Sequence, residues 1–204
     1  MARLLRLIPE LHTPRLTVRL ARPGMQAAMA RFLTDNFAGH LDRWSPPVVP
    51  DYFTETFWAE RLEIATHDFE ADRAARFVIQ ARDATLDGPI LGTCNYTNFV
   101  RGAFHACHLG YQVGRAQQGQ GLMGEALRAS NAYVFEALRL HRIMANFRPE
   151  NDRSRRLLER LGFVEEGFAR AYLFIDGAWR DHVLTSLTNP AFRDSWLTQP
   201  VPRH

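Results

Sequence analysis

A glycine-rich segment between a strand-like stretch and a helix-like stretch constrains this chain more than any other feature. Residues 109–113 (Leu-Gly-Tyr-Gln-Val) have the content of a strand, residues 117–121 (Gln-Gln-Gly-Gln-Gly) follow, and a helical pattern starts at Leu122. Glycine lets a backbone approach a bound group closely, and the first turn of a helix offers unpaired N–H donors at the positive end of its dipole. This order predicts an α/β protein that holds a phosphate group at the loop, although glycine in such turns also has purely structural uses.

Two common nucleotide-binding classes do not fit this loop. No Gly-Lys-Ser or Gly-Lys-Thr closes it, as a P-loop requires. A Rossmann fingerprint needs an acidic residue about 20 positions further on. Here the segment at that distance, residues 139–142, reads Arg-Leu-His-Arg. The phosphate therefore belongs to another kind of cofactor.

A second segment, residues 151–163, has the pattern of a short capped helix. Asn151 or Asp152 stands at its start, leucines at positions 157, 158 and 161 form one apolar face, and Gly162 ends it. Together the two segments resemble the GNAT superfamily of acetyl-CoA-dependent N-acetyltransferases. Gln118, Gly121 and Met123 match the loop signature of that superfamily, and the Asn-x-x-Ser of residues 151–154 matches its second signature.

The chain is more similar to the RimJ/RimL branch of ribosomal-protein N-terminal acetyltransferases, and within it to the RimJ-like members. The similarity runs from Thr13 onward and is most specific in residues 100–107, 119–123, 141–146 and 175–184. Met123 replaces the small residue of the general signature. Because the phosphate contacts come from backbone N–H groups, a larger side chain there is compatible with binding.

The resemblance implies a single GNAT-like domain over residues 1–204, with a core over 13–190 and a loosely held tail over 191–204. Its fold class is α/β, a mixed and mostly antiparallel central sheet flanked by helices. It implies acetyl-CoA as co-substrate without a metal, and transfer by direct attack in a ternary complex to a protein N-terminus. The expected acceptor is a ribosomal protein beginning with Ala or Ser; the protein itself could be a monomer or a dimer.

Site residues follow from the same resemblance. The cofactor-binding candidates are Tyr111, Val113, Gln118, Gly119, Gln120, Gly121, Leu122, Met123, Gly124, Asn151 and Ser154. Among these, Ser154 and Asn151 are also catalytic candidates, with the Ser154 hydroxyl stabilising the leaving thiolate, although both positions are also ordinary first-turn and capping positions of a helix. The substrate-binding candidates are His105, Tyr172, Trp179 and Arg180. The oxyanion is assigned to a backbone N–H within residues 110–113, which requires a locally splayed strand.

The general base is the least determined part of the predicted site. An α-amine has a pKa of about 7.7–8.0 against about 10.4 for lysine, so a modest base suffices for an N-terminus. His108 is the preferred candidate, because its ordinary pKa near 6.5 suits proton removal at neutral pH. His105 or a chain of waters is the alternative. Ala171 occupies the position before Tyr172 where RimJ/RimL relatives can carry an acidic residue, and this leaves the base open.

Periodicity predicts the order of elements. Strands are expected at residues 16–20, 76–81, 90–97, 105–113 and 142–147, and helices at residues 25–34, 54–66, 122–138 and from 152. A long strand pair folded at Asp176-Gly177 completes the chain.

Charge and composition bound the remaining function classes. The net charge of +3 is mild for a nucleic-acid binder. Arginines at positions 153, 155, 156 and 160 cluster on one helix, which favours a solvated face or a surface complementary to cofactor phosphates over RNA binding. Cys94 and Cys107 suggest buried thiols and, with the nearby histidines, match no zinc spacing.

The expected compartment is the cytoplasm. Pro9 and Glu10 interrupt the apolar residues 4–8, unlike a signal peptide, and no apolar run approaches the roughly 18–20 residues of a membrane span. Two rival functions remain: acetylation of a small amine by the same fold, and a weakly catalytic CoA-binding protein that docks on the ribosome through the basic helix. Turnover with defined peptides separates them.

Overall fold

The computed structural model describes residues 8–199 as one eight-stranded sheet with helices on both faces, which confirms the predicted α/β class. The strands are β1 (Glu10–His12), β2 (Leu16–Leu20), β3 (Ala75–Ala81), β4 (Ile90–Val100), β5 (Ala106–Val113), β6 (Arg142–Met144), β7 (Val164–Ile175) and β8 (Ala178–Thr188). The helices are α1 (Gln26–Asn36), α2 (Glu55–Glu70), α3 (Leu122–Glu136) and α4 (Asp152–Arg160). Short helical turns occupy Phe37–Leu41, Asp42–Trp44, Pro50–Phe53, Arg115–Gln117 and Asp194–Leu197.

The sheet is mixed and mostly antiparallel, as predicted, in the order β1-β2-β3-β4-β5-β6-β8-β7. Within the described part of the chain, the parallel pair is β5 with β6. That pairing runs from Ala106 opposite Arg142 to His108 opposite Met144 and stops there, while β5 continues to Val113. The sheet therefore splits on one side of β5, which is the splayed strand that the oxyanion assignment requires.

The two faces of the sheet carry different helices, because side chains alternate along each strand. One core cluster joins Cys94, Tyr96 and Leu109 of β4 and β5 to Leu127 and Val134 of α3. A second cluster packs Val78 and Ile90 against α1 and α2. Residues of β5 with odd numbers therefore face α3 and α4, and residues with even numbers face α1 and α2.

The predicted elements are found with small shifts of their ends. The Thr54 hydroxyl accepts a hydrogen bond from the backbone N–H of Phe57 and begins α2. The β7–β8 hairpin turns at Asp176 and Gly177, whose φ angles of 51° and 70° suit an Asp-Gly turn. β6 ends at Met144 and is shorter than residues 142–147, but the chain stays beside β8: the Ala145 N–H donates to the Thr185 carbonyl over 3.0 Å, and Phe147 forms an isolated bridge with Val183.

The segment after β8 contacts the body of the protein as far as it is described. The Asn189 side chain donates to the carbonyl oxygens of Phe135 and Leu140. The Phe192 ring lies against the rings of His105 and His141, with centroids 5.3 and 5.1 Å away. Of the tail predicted over residues 191–204, positions 200–204 lie outside the described residues.

Both cysteines are buried, as the sequence suggests. Cys94 and Cys107 are free thiols in the core. Burial raises the pKa of the Cys94 thiol to about 12, and burial also raises the pKa of the Cys107 thiol, so neither thiol ionises at neutral pH. None of the helices in residues 8–199 has the length and apolar character needed to cross a bilayer.

Candidate active site

Two cavities meet at the split in the sheet. The larger has a volume of about 1020 Å³ and is lined by the glycine loop, the start of α3 and one side of α4. The smaller, of about 500 Å³, lies over β4 and β5 beneath the segment that joins α1 to α2. Both cavities are lined by Ser45, Tyr111 and Gln112. The walls of the two cavities are therefore continuous across β5.

Strand β5 contributes residues to both cavities. Val113 lines only the larger one and Gly110 only the smaller one, whereas Tyr111 and Gln112 line both. Nothing lies within 4 Å of the point where a Cβ atom of Gly110 would be, so the strand backbone is open to an incoming group.

The glycine loop adopts backbone angles that require glycine. Gly119 and Gly121 have φ angles of 76° and 75°, in the left-handed region that side chains disfavour. Gly121 is the residue at the N-terminal cap of α3, and no side chain within residues 8–199 caps that helix. Its first N–H groups are thus left to water or a ligand, at the positive end of the helix dipole.

A brace on the N-terminal side fixes this loop. Arg15 donates to the Glu125 carboxylate over 2.6 Å and to the Gln120 carbonyl over 3.0 Å, and the Thr13 hydroxyl donates to the same carboxylate over 2.6 Å. Slight burial raises the pKa of Glu125, but these bonds outweigh it and lower the pKa overall, so the carboxylate stays charged. These contacts fix the C-terminal end of the loop.

A second set of contacts joins the loop to the α1–α2 segment and to α4. Arg153 donates to the Gln118 side chain, and His40 Nε2 donates to the Val113 carbonyl over 2.9 Å. Arginines 43, 153, 156 and 160 and His40 line the larger cavity, together with two acidic residues, Glu150 and Asp152. The cavity therefore carries an excess of positive charge that suits a phosphorylated ligand.

Ser154 is placed in the larger cavity by the cap of α4. The Asn151 side chain accepts a hydrogen bond from the Ser154 backbone N–H over 3.1 Å, as predicted for a capping residue. The Ser154 hydroxyl shares a hydrogen bond with the Tyr111 hydroxyl across 2.6 Å, although the two residues are 43 positions apart. Burial raises the pKa of Tyr111 to about 12 in spite of that bond, so the phenol stays neutral and can donate.

His108 lies on the α1–α2 face of β5, two residues before Gly110. The residue is half-buried, and its Nδ1 atom has no hydrogen-bond partner among residues 8–199. Burial lowers the pKa of the His108 imidazole, so the ring is neutral at pH 7 and can accept a proton. Its side chain lines neither cavity as the structure stands.

The predicted site residues fall into two groups. Most of the cofactor candidates line the larger cavity: Tyr111, Val113, Gln118, Gly119, Gly121, Leu122, Met123, Gly124, Asn151 and Ser154. Gln120 does not; its amide donates to the Ala116 carbonyl outside the cavity.

The substrate-binding candidates lie outside both cavities. His105 is buried at the start of β5, with its Nδ1 atom 3.1 Å from the Gly102 carbonyl. The Tyr172 hydroxyl accepts from the Asn146 side chain over 3.1 Å. Trp179 is exposed beside Phe174 on the β7–β8 hairpin, where Arg180 donates to backbone carbonyls of the turn.

Sequence reasoning missed the contribution of residues 39–53. Trp44 and Ser45 line the larger cavity, and Pro46, Val49 and Tyr52 line the smaller one. Three prolines within residues 46–50 were the available signal, because a proline-rich loop of this length between two helices is unusual in a compact domain.

Comparison with known proteins decides the family. Residues 15–164 match the family model described as an acetyltransferase (GNAT) domain. The chain belongs to the GNAT family of acetyltransferases. As a GNAT protein it is an N-acyltransferase, and the predicted family and fold are both confirmed.

Relatives of this GNAT chain carry more specific names. It is 43% identical over 180 residues to the ribosomal protein uS5-alanine N-acetyltransferase of Escherichia coli (strain K12), covering 88% of this chain and 91% of the relative. The ribosomal-protein-S5-alanine acetyltransferase of Vibrio fischeri superposes with a TM-score of 0.85 at 35% identity, covering 91% of this chain and 99% of that one. Mycobacterium smegmatis RimJ, solved in complex with CoA-disulfide, superposes with a TM-score of 0.78 at 32% identity, covering 95% and 90%. These similarities confirm the RimJ/RimL branch.

Proposed function

We propose that this protein transfers the acetyl group of acetyl-CoA to the N-terminal α-amine of a protein, in a ternary complex of enzyme, donor and acceptor. A ribosomal protein that begins with Ala or Ser is the proposed acceptor. The observation that carries the proposal is the pair of adjoining cavities along β5, which share Ser45, Tyr111 and Gln112. Two substrates can then approach one reaction centre from different sides, without an acetyl-enzyme intermediate.

The larger cavity fits the donor. Its glycine loop and the uncapped start of α3 supply N–H donors for a pyrophosphate, and the arginines of α4 supply positive charge. Mycobacterium smegmatis RimJ has been solved with a CoA compound. We therefore assign acetyl-CoA to this cavity and the acceptor to the smaller one.

Three chemical tasks fall to residues around the meeting point. Ser154, supported by Tyr111, would donate a hydrogen bond to the sulfur as negative charge develops there. Backbone N–H groups of residues 110–113, beyond the end of the β5–β6 ladder, would stabilise the oxyanion. His108 would take the amine proton through one water in the open space above Gly110, because its ring lines neither cavity.

An N-terminal amine fits this site better than a lysine. Near pH 7.5 roughly a third of α-amines are neutral, against about a thousandth of lysine amines. Half-buried His108 has no hydrogen-bonded carboxylate partner among the described residues, so it is a modest base. A modest base suffices for an α-amine but not for a lysine amine.

Competition among three acceptors tests the proposal. A peptide beginning with Ala, the same peptide with a blocked N-terminus and an internal lysine, and spermidine would be compared from pH 6 to pH 9. We expect turnover of the free-amine peptide to exceed that of the other two by more than tenfold near pH 7.5, since neutral α-amine is then more abundant by about 10². Faster turnover of spermidine or of the blocked peptide would contradict the proposed acceptor. Acetyl-CoA binding without turnover of any acceptor would indicate a binding protein instead.

A further inference from the structure

Thr93 is a polar residue of the smaller cavity to which the proposed reaction assigns no role. It lies in the middle of β4, is 3% exposed, and lines that cavity. Its Oγ1 atom is buried and has no hydrogen-bond partner among the described residues. A hydroxyl withdrawn from water without a partner costs folding free energy, so its presence points to a bond made outside the free protein.

We propose that the Thr93 hydroxyl binds the first peptide unit of the acceptor and so selects amines that are followed by a peptide bond. This inference rests on the proposed function, which assigns the smaller cavity to the acceptor. It adds a positioning and specificity-determining residue to a cavity whose wall carries apolar side chains, among them Pro46, Pro47, Val48 and Val49, and polar ones, among them Arg61, Asn95 and Gln112.

The register of β4 and β5 places Thr93 at a suitable distance. Thr93 is paired with Gln112, and Asn95 is paired with Gly110, on one face of the sheet. Diagonal neighbours on such a face are about 7–8 Å apart. An amine above Gly110 has its first carbonyl oxygen and the next N–H within about 4 Å, and a hydrogen bond of about 2.8 Å covers the rest.

The buried state of the hydroxyl makes such a bond effective. Folding has already removed Oγ1 from water, so a rotation of the Thr93 side chain toward a bound acceptor would give the hydroxyl a partner without desolvating it again. A threonine hydroxyl can donate to the carbonyl oxygen or accept from the N–H of the peptide unit. A polyamine offers neither group next to its amine, so it gains nothing from Thr93.

Thr93→Val tests the inference, because valine has the same shape and lacks the hydroxyl. With an Ala-starting peptide, we expect kcat/KM to fall about tenfold, the value of one well-placed hydrogen bond. With the matched depsipeptide, in which an ester replaces the first amide, the N–H is absent and the carbonyl is a weaker acceptor, so the loss should be less than about threefold. Acetyl-CoA affinity should not change, and Thr93→Ser should recover most of the activity.

Folding stability provides a readout independent of catalysis. Removing a buried hydroxyl that has no partner should leave the urea unfolding midpoint of Thr93→Val unchanged or raise it. The matched control is Thr17→Val on β2: that residue is fully buried, but its hydroxyl lies 3.3 Å from His12 Nδ1 and it is remote from the cavity. The control should lower the midpoint and leave kcat/KM for the peptide unchanged.

The outcomes separate this inference from the proposed function. Equal losses on the amide and ester acceptors, or no loss on the amide, would overturn the role of Thr93 while the wild type still acetylates the peptide. A lowered unfolding midpoint for Thr93→Val would also overturn it, because the hydroxyl would then have a partner within the protein. A wild type that does not acetylate the free-amine peptide would overturn both.

Discussion

At the scale of single residues, the candidate site depends on pairs that the folded chain brings together. Tyr111 and Ser154 come from β5 and α4 and share one hydrogen bond across 2.6 Å. A neutral phenol that donates to the serine oxygen leaves the serine proton free for the thioester sulfur, and hydrogen bonds in a chain strengthen one another. If acetyl-CoA binds in the larger cavity as proposed, Tyr111 would act on its sulfur through Ser154.

Single-turnover kinetics would test this pair. Ser154→Ala should lower the rate of acetyl transfer by about 10- to 100-fold with little change in acetyl-CoA affinity, because the bond matters most as charge develops on the sulfur. Tyr111→Phe should lose a smaller factor, and should lose nothing further when added to Ser154→Ala. Independent, multiplying losses in the double variant would show that the two hydroxyls do not act as a unit.

The pH profile of kcat/KM would test His108. Because burial lowers its pKa below the ordinary 6.5, the wild-type profile should fall below about pH 6.5 in addition to the fall caused by protonation of the amine. His108→Ala should lose that lower limb and about 10- to 100-fold in rate, and should keep acetyl-CoA affinity. His67→Ala, at an exposed position of α2, is the control. If His108→Ala keeps the wild-type pH profile of kcat/KM, His108 is not the general base, and a chain of waters takes that role.

At the scale of elements, local signals in the sequence were sufficient for most of the fold. The Thr54 cap, the Asn151 cap and the Asp176-Gly177 turn each act within a few residues, so their patterns are legible without the rest of the chain. The three-residue strand β1 was missed, since so short a segment has no measurable periodicity and exists only by pairing with β2.

The candidate site was predictable only in part, because only its local features can be recognised in the sequence. The loop is recognised by Gly119 and Gly121, and Ser154 is recognised by its signature. The pairing of Tyr111 with Ser154, and the place of residues 39–53 above both cavities, depend on contacts between distant parts of the chain. No spacing in the sequence encodes these contacts, so only the folded structure reveals them.

The glycine loop can be tested with a pair of glycine variants. Gly121→Val places a β-branched side chain at a φ of 75°, which costs about 1–2 kcal/mol, and blocks the approach of a phosphate to the backbone. Gly177→Val imposes similar strain at a φ of 70° in the β7–β8 turn, away from the cavity. Both should lose similar stability, but only Gly121→Val should weaken acetyl-CoA binding, by about tenfold or more in calorimetry. If the two folded variants bind acetyl-CoA equally well, the assignment of acetyl-CoA to this loop is wrong.

At the scale of the whole molecule, buried histidines connect stability to pH. Burial lowers the pKa of His105, His108 and His182 below the ordinary value of 6.5. Between the folded and unfolded pKa values the unfolded chain binds more protons than the folded one, so the free energy of unfolding rises with pH in that window. Their contribution is fully present above about pH 6.5 and declines as the pH falls below it.

Urea unfolding at pH 7.5, 6.5 and 5.5 would measure this dependence. The wild type should lose stability chiefly between pH 6.5 and pH 5.5, before the carboxylates of Glu125 and Glu166, whose pKa values are lowered, begin to titrate. His105→Asn should reduce the slope, and asparagine tolerates the φ of 45° at that position. A free energy of unfolding that is the same at pH 7.5 and pH 5.5 would contradict the assignment.

The presence of two cavities that share only part of their walls also has a consequence for the order in which substrates bind and products leave. Among the described residues that line them, Ser45, Tyr111 and Gln112 are common to both cavities, and each of the others lines one. A bulky acceptor such as a nascent chain on a particle much larger than the enzyme would cover one entrance and leave the other in open solvent. CoA could then leave and acetyl-CoA bind while the acceptor particle stays bound. The size of the acceptor would therefore not determine which product is released first.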